Sequence, residues 1–172
     1  MNLVLIGYRG TGKSSVARRL GRALGREVVS LDAEIVAAAG SSIPEIVAAA
    51  GWSHFRDIEE QVCRRFGGQD GLVLDCGGGV VEREANFEAL RARGMVFWLE
   101  ASAATIVARI GSGTERPSLT GTRSFTDEAE EVLARREPLY RRLAHVEIDT
   151  EGRSIAEIAA EIAERFRKAA GI

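Results

Sequence analysis

Eight residues, Gly7-Tyr8-Arg9-Gly10-Thr11-Gly12-Lys13-Ser14, constrain this chain more tightly than any other stretch. They fit the spacing G-x-x-x-x-G-K-[ST], and their flanks are the ones that spacing needs. Leu3-Val4-Leu5-Ile6 reads as a short buried strand, and Ser15 to Leu24 carries apolar residues at helical spacing. Glycines between a strand and a helix let the backbone curl, so that successive N–H groups point at phosphate oxygens. The helix adds its unsatisfied N–H groups and the positive end of its dipole. Gly10, Thr11, Gly12, Lys13, Ser14 and Ser15 are therefore the expected nucleotide-phosphate set. Lys13 should reach the β- and γ-phosphates, and the Ser14 hydroxyl should ligate Mg²⁺. A glycine-rich turn with a chance lysine is the alternative, and the spacing and flanks together weigh against it.

A length of 172 residues suits one domain with a core of its own. The net charge of −2 gives no broad basic field, which argues against general nucleic-acid binding. No apolar run approaches a membrane span, and Leu3–Ile6 is strand-length and runs into the glycine loop rather than forming a signal peptide. Cys63 and Cys76 show no metal-type spacing. A reduced, cytoplasmic protein is the expectation, and without an exposed heptad or apolar stripe, a monomer.

Strands alternate with helices throughout. Glu27–Ser30 reads as a second strand and Leu31–Ala39 as a helix closed by Gly40. Ser42-Ile43-Pro44-Glu45 resembles a capping box opening a short helix that Gly51-Trp52 breaks, with Ser53–Phe66 continuing. Leu72–Asp75 is a third strand leading into Gly77-Gly78-Gly79, Glu84–Arg93 a helix and Met95–Leu99 a central strand. A helix over about 102–110 precedes a polar, glycine-punctuated stretch, Gly111 to Arg123, which reads as a mobile loop. Thr126–Arg142 returns to helix, with an interruption expected at Pro138. His145–Asp149 is the last strand, and Ser154-Ile155-Ala156-Glu157 caps a terminal helix to about Arg167. Five strands separated by helices imply an α/β fold, a three-layer α/β/α arrangement around a parallel sheet.

Three further features narrow the chemistry. Asp32 follows the second strand at the edge where ligands bind in open α/β sheets; it can meet a substrate hydroxyl, help hold Mg²⁺, or simply stabilise a helix start. Gly77, Gly78 and Gly79 sit at the same edge, and three glycines suit a close approach to a small ligand better than a plain turn does. Arg56, Arg109, Arg116 and Arg136 recur where they can converge on an anion, although Arg56 can equally pair with Glu59 or Glu60 on its own helix. Trp98, Phe97 and Met95 read as core, Cys76 as an inert buried thiol, and His54 and His145 receive no role.

Together these features resemble the shikimate kinase family nearly end to end. The segments that carry it are Gly7–Ser15, Leu31-Asp32 to Ile35, Phe55-Arg56-Asp57-Ile58-Glu59-Glu60, Gly77-Gly78-Gly79, Arg116-Pro117-Ser118-Leu119 and Arg136-Glu137-Pro138-Leu139-Tyr140. The resemblance implies a phosphate-loop kinase of the nucleoside-monophosphate-kinase type, with a five-stranded parallel sheet. It implies a single kinase domain over 1–172, a helical substrate-binding insertion over about 31–61 and a lid over about 111–124. The implied reaction is transfer of the ATP γ-phosphoryl group to the 3-hydroxyl of shikimate, in aromatic amino-acid biosynthesis. Carried over, Lys13, Asp32 and Arg116 are catalytic. Asp32, Arg56, Gly77, Gly78, Gly79 and Arg136 hold shikimate, and Arg109, Arg116 and Arg153 join the glycine loop around ATP. Another kinase of the same fold, acting on gluconate or a nucleoside monophosphate, and a non-catalytic nucleotide-binding regulator are the rival readings.

One position departs from the family. Asp-x-Asp usually follows the second strand, its first carboxylate near Mg²⁺; here that position is Ser30. Asp75, ending the third strand where the family carries a small neutral residue, is the candidate replacement, so Ser14 and Asp75 form the expected metal pair.

Overall fold

Every residue of Asn2–Ile6 is buried, and this strand, β1, occupies the middle of the sheet. The computed structural model describes residues 1–110 and 125–172. Strands β2 (Val28–Ser30), β3 (Val73–Asp75), β4 (Gly94–Glu100) and β5 (Val146–Asp149) complete a parallel sheet in the order β2-β3-β1-β4-β5. Both faces are covered, which is why β1 and β4 read as nearly continuous apolar runs rather than alternating ones.

On one face Leu3, Leu5, Phe97 and Leu99 pack against α1 (Lys13–Leu24) and α7 (Ile155–Ala170), through Val16, Leu20, Ile158, Ile162 and Phe166. On the other, Val4, Ile6, Leu74, Val96 and Trp98 meet α2 (Leu31–Ala39), α3 (Ile43–Gly67), α4 (Glu84–Arg91) and α6 (Phe125–Leu143). Helix α5 (Ala103–Ile110) joins α6 in a smaller cluster around Tyr8, Ile106, Ala129 and Val132. The three-layer α/β/α arrangement with five parallel strands is thus the one the sequence predicts. Since β3 and β4 flank β1 on opposite sides, the crevice of the sheet opens at the carboxyl end of β1, where the glycine loop begins.

Local chemistry sets the helix ends. The Ser42 N–H donates to Glu45 Oε2 at 2.8 Å, and the Ser154 N–H donates to Glu157 Oε2 at 2.8 Å, so both expected capping boxes form. Gly51, at φ 78° and ψ 171°, is non-helical and divides α3 into two helical segments at the predicted break. Helix α6 runs through Pro138 where an interruption was expected; the proline is exposed, and the loss is one helical donor, the one Ala134 O would have received. Boundaries move by a residue at β2, β3 and β5, and α7 extends to Ala170 rather than Arg167. The expected lid over 111–124, with Arg116, lies outside the described residues. Among the described residues no single helix is long and apolar enough to cross a membrane.

Ile162 is fully buried where α7 meets α1 and the sheet. Ile162→Ala should lower unfolding stability by about 2–5 kcal/mol, read as a reduced urea midpoint at unchanged slope.

Candidate active site

The glycine loop leaves β1 with Gly7, Gly10 and Gly12 at φ values of 141°, 83° and 89°, a region side-chain-bearing residues avoid. Gly7 has a second reason to be small, since a Cβ there would lie 2.5 Å from the Leu99 carbonyl oxygen of β4. Thr11 Oγ1 donates to the Tyr8 carbonyl at 2.8 Å, and the buried Lys13 ammonium donates to the Gly7 and Tyr8 carbonyls at 2.7 and 2.9 Å. Lys13 is thereby held over the concave side of the loop. Ser14 is exposed and Ser15 half-buried at the start of α1, whose first turn carries no acidic residue to oppose an anion.

A second group gathers at the end of β5. Arg109 donates through Nη1 to Thr150 Oγ1 at 3.1 Å and through Nη2 to the Thr150 carbonyl at 2.9 Å. Arg153 donates to the Asp149 carbonyl at 2.9 Å and to Glu161 Oε2 at 2.6 Å. This turn adjoins the glycine loop, because a Cβ on Gly12 would stand 3.1 Å from Ile155 Cδ1. Arg109, Arg153 and the loop are therefore neighbours in space.

The third group surrounds Gly77-Gly78-Gly79, and each glycine is small for a different reason. A Cβ on Gly77 would meet Asp32 Oδ1 at 2.5 Å and Glu59 Oε1 at 3.5 Å. One on Gly78 would press the Arg9 backbone nitrogen at 3.4 Å, and one on Gly79 would overlap the Arg56 guanidinium. None of the three has a positive φ, so close approach rather than backbone freedom accounts for them. Asp32 lies in the first turn of α2 after its cap Ser30, a helix-start acid that also stands against Gly77.

Arg56 donates to the buried Glu59 Oε2 at 2.7 Å, its guanidinium 5.0 Å from the Phe55 ring and 5.6 Å from the Trp52 ring. Arg136, also buried, donates through Nε to Glu82 Oε1 at 2.7 Å. Burial pushes the Glu59 carboxyl above its usual range and the Asp32 charge adds to this, while Arg56 and, more weakly, Arg136 act against it. Burial likewise works against ionised Glu82, but Arg136, Arg135 and Arg56 prevail and hold its carboxyl below the usual range. Arg56 lies against Gly79, and Arg136 is bonded to Glu82 on the turn directly after it, so both arginines border the glycine turn. Tyr140 closes its α6 side by donating to the Gly78 carbonyl, and burial pushes its hydroxyl pKa up.

Asp75, the buried last residue of β3, is in register with Leu5 of β1 and Ser30 of β2. Leu5 packs in the α1 layer, so Asp75 points to the face from which α1 starts. The Ser30 hydroxyl accepts from the Ala33 N–H at 3.4 Å, the role of a helix cap. A serine hydroxyl and one carboxylate are hard oxygen donors of the kind that bind Mg²⁺ together with substrate phosphates.

Glu59, Glu82 and Tyr140 escaped the sequence reading as site residues. Glu59 was detectable: it falls in the stripe Phe55, Val62, Cys63, Phe66 that α3 buries, where a glutamate needs a charged partner. Glu82 lies on a single 3₁₀ turn, Val80–Glu82, too short for any periodicity. A separate cavity of about 520 Å³ is lined by Glu100, Glu130, Glu137, Asp149 and Glu151. Asp149 and Glu151 belong to the segment Asp149–Ser154 that the family resemblance places on the adenine side, but the cavity's acids would repel phosphate.

Comparison with known proteins agrees with this arrangement. The family model described as shikimate kinase matches residues 9–167. A shikimate kinase of Symbiobacterium thermophilum is 39% identical, with 98% of this chain and 97% of that protein covered. One of Syntrophus aciditrophicus is 41% identical, covering 96% and 91%. The solved shikimate kinase of Acinetobacter baumannii in complex with shikimate superposes with a TM-score of 0.91 at 32% identity, covering 98% of this chain and 93% of that one. The chain belongs to the shikimate kinase family, kinases that transfer phosphate from ATP to shikimate.

Proposed function

We propose that the family's reaction runs here as direct in-line transfer of the ATP γ-phosphoryl group to the shikimate 3-hydroxyl, with positioning and charge as the catalytic means. The observation that carries this reading is two arginines on one glycine turn, Arg56 against Gly79 and Arg136 bonded to Glu82 just after it, with Asp32 against Gly77 and the glycine loop against Gly78. Two guanidinium forks suit the planar carboxylate of the acceptor better than two lysines. Asp32 meets the acceptor hydroxyls and takes the departing proton, and Gly77–Gly79 let the ring approach the backbone. Lys13 and the N–H groups of residues 10–15 hold the β- and γ-phosphates. Arg109 and Arg153 flank the adenine. Arg116, from a lid over about 111–124, stabilises the charge on the transferring group as the lid excludes water.

Mg²⁺, held by the Ser14 hydroxyl and the Asp75 carboxylate together with the phosphates, would neutralise charge on the β- and γ-oxygens when bound. Asp75 in this reading takes the position that Ser30, engaged as a cap, leaves open. Helices α2 and the first part of α3, within about 31–61, act as the acceptor-binding insertion of a single kinase domain. The small net charge and the lack of an exposed heptad support a cytoplasmic monomer that binds neither nucleic acid nor membrane.

Gly79→Ala tests the acceptor reading. At φ −97° the backbone accepts alanine, so the variant should fold, but its methyl group displaces the Arg56 guanidinium. The shikimate KM should rise by about tenfold or more with the ATP KM unchanged; equal effects on both would remove the assignment. Asp75→Ala should weaken Mn²⁺ binding in the presence of ADP, followed by electron paramagnetic resonance, and raise the Mg²⁺ needed for turnover. Adding Ser30→Asp to that variant should restore both, and an unchanged metal dependence would reject Asp75.

A further inference from the structure

We propose that Glu82 is a positioning residue for the acceptor's carboxylate: it sets the plane of Arg136 without touching the substrate. The inference rests on the reading of Arg136 as a carboxylate holder. Arg136 is 5% exposed, and a charge so far from water needs a fixed partner. Glu82 supplies it from the turn directly after Gly79, accepting the Nε–H at 2.7 Å. A guanidinium carries its five N–H groups in a rigid fork. With Nε committed to Glu82 and a further side-chain hydrogen bond to the Tyr140 hydroxyl, the plane is fixed and the remaining Nη N–H groups form the edge left for an incoming carboxylate. Tyr140, one helical turn further along α6, holds the Gly78 carbonyl, so that edge is fixed relative to the glycine turn itself. Arg135 donates to the same Glu82 oxygen at 2.8 Å, but its side chain is mostly in water and adds little.

Two effects of removing Glu82 oppose each other. The site loses a negative charge, which by Coulomb's law favours an anionic substrate. Arg136 also loses its anchor, and the other buried carboxylate whose charge it senses is Glu59, already partner to Arg56. Drawn there, Arg136 would turn its Nη edge from the pocket and crowd Arg56. Glu82 is partly open to water, which screens the first effect, whereas two-point recognition of a carboxylate fails once the plane is free. The second effect therefore prevails.

The test is steady-state kinetics of Glu82→Ala, Glu82→Gln, Arg135→Ala and Arg136→Ala with shikimate and with its primary amide as acceptors, thermal unfolding serving to establish folding. Glu82→Ala should raise the shikimate KM about tenfold, with kcat within about threefold and the ATP KM unchanged. Its preference for the acid over the amide should fall, a ratio that a general loss of stability would not move. Glu82→Gln, which keeps an oxygen acceptor of the same shape, should recover most of the loss, and Arg135→Ala should stay near wild type. Should Glu82→Ala fail to fold, Glu82→Asp, which withdraws the carboxylate by one methylene, should show the same KM rise in milder form. An unchanged or lowered KM, an unchanged acid preference, or equal loss in kcat would overturn the role of Glu82 while Arg136→Ala still weakens shikimate. A harmless Arg136→Ala would overturn the reading of Arg136 and this proposal together.

Discussion

A guanidinium lying flat on a glycine backbone is the contact on which the rest of this site depends. Arg56 can occupy that place because Gly79 has no side chain, and it stays there because Glu59 is buried behind it. The arrangement is costly in isolation, since a buried carboxylate without its partner loses several kcal/mol of hydration, on the order of what a small domain has to spare. The energy is recovered only while Arg56, Glu59 and the glycine turn keep their mutual geometry. That requirement fixes α3 against the end of β3. It also explains why Phe55, Val62, Cys63 and Phe66 anchor the helix in the core on the same stripe.

The sheet then does the work of bringing separate pieces of sequence to one edge. Parallel strands all present their carboxyl ends on the same side, so the glycine loop after β1, Asp32 after β2 and the glycine turn after β3 become neighbours without any contact specific to them. Strand β1 at the centre is buried along its whole length, which makes the loop that follows it a rigid platform rather than a surface loop. Helix α6 is tied back to the glycine turn through Tyr140 and Arg136. The chain that follows residue 124 is therefore mechanically connected to the acceptor pocket.

Much of this was legible in the sequence, for a physical reason. The phosphate loop, the capping boxes and the glycine turn are local, and their residues announce the conformations they need: Gly12 a left-handed angle, Ser154 with Glu157 a helix start. The parallel sheet followed from the alternation of strands and helices, and the break at Gly51 from its missing side chain. What stayed hidden was long-range pairing. Glu59 has a local partner in Arg56 and a burial readable from its stripe, whereas Glu82 with Arg136 spans 54 residues of sequence. Pro138 misled in the other direction, because a proline on the exposed side of a packed helix removes a single hydrogen bond, and α6 keeps the rest.

The charges of the pocket show why such hidden pairs belong to function as well as stability. Arg56 is paired with Glu59 and Arg136 with Glu82, so both guanidinium groups are already engaged. The pocket is therefore not a general attractor of anions, and a free phosphate or an arbitrary carboxylate gains little from it. In the proposed reading, an acid is favoured only if it meets both guanidinium edges while its hydroxyl reaches Asp32. The attractive charge is present but already spoken for, so selectivity comes from geometry rather than field strength.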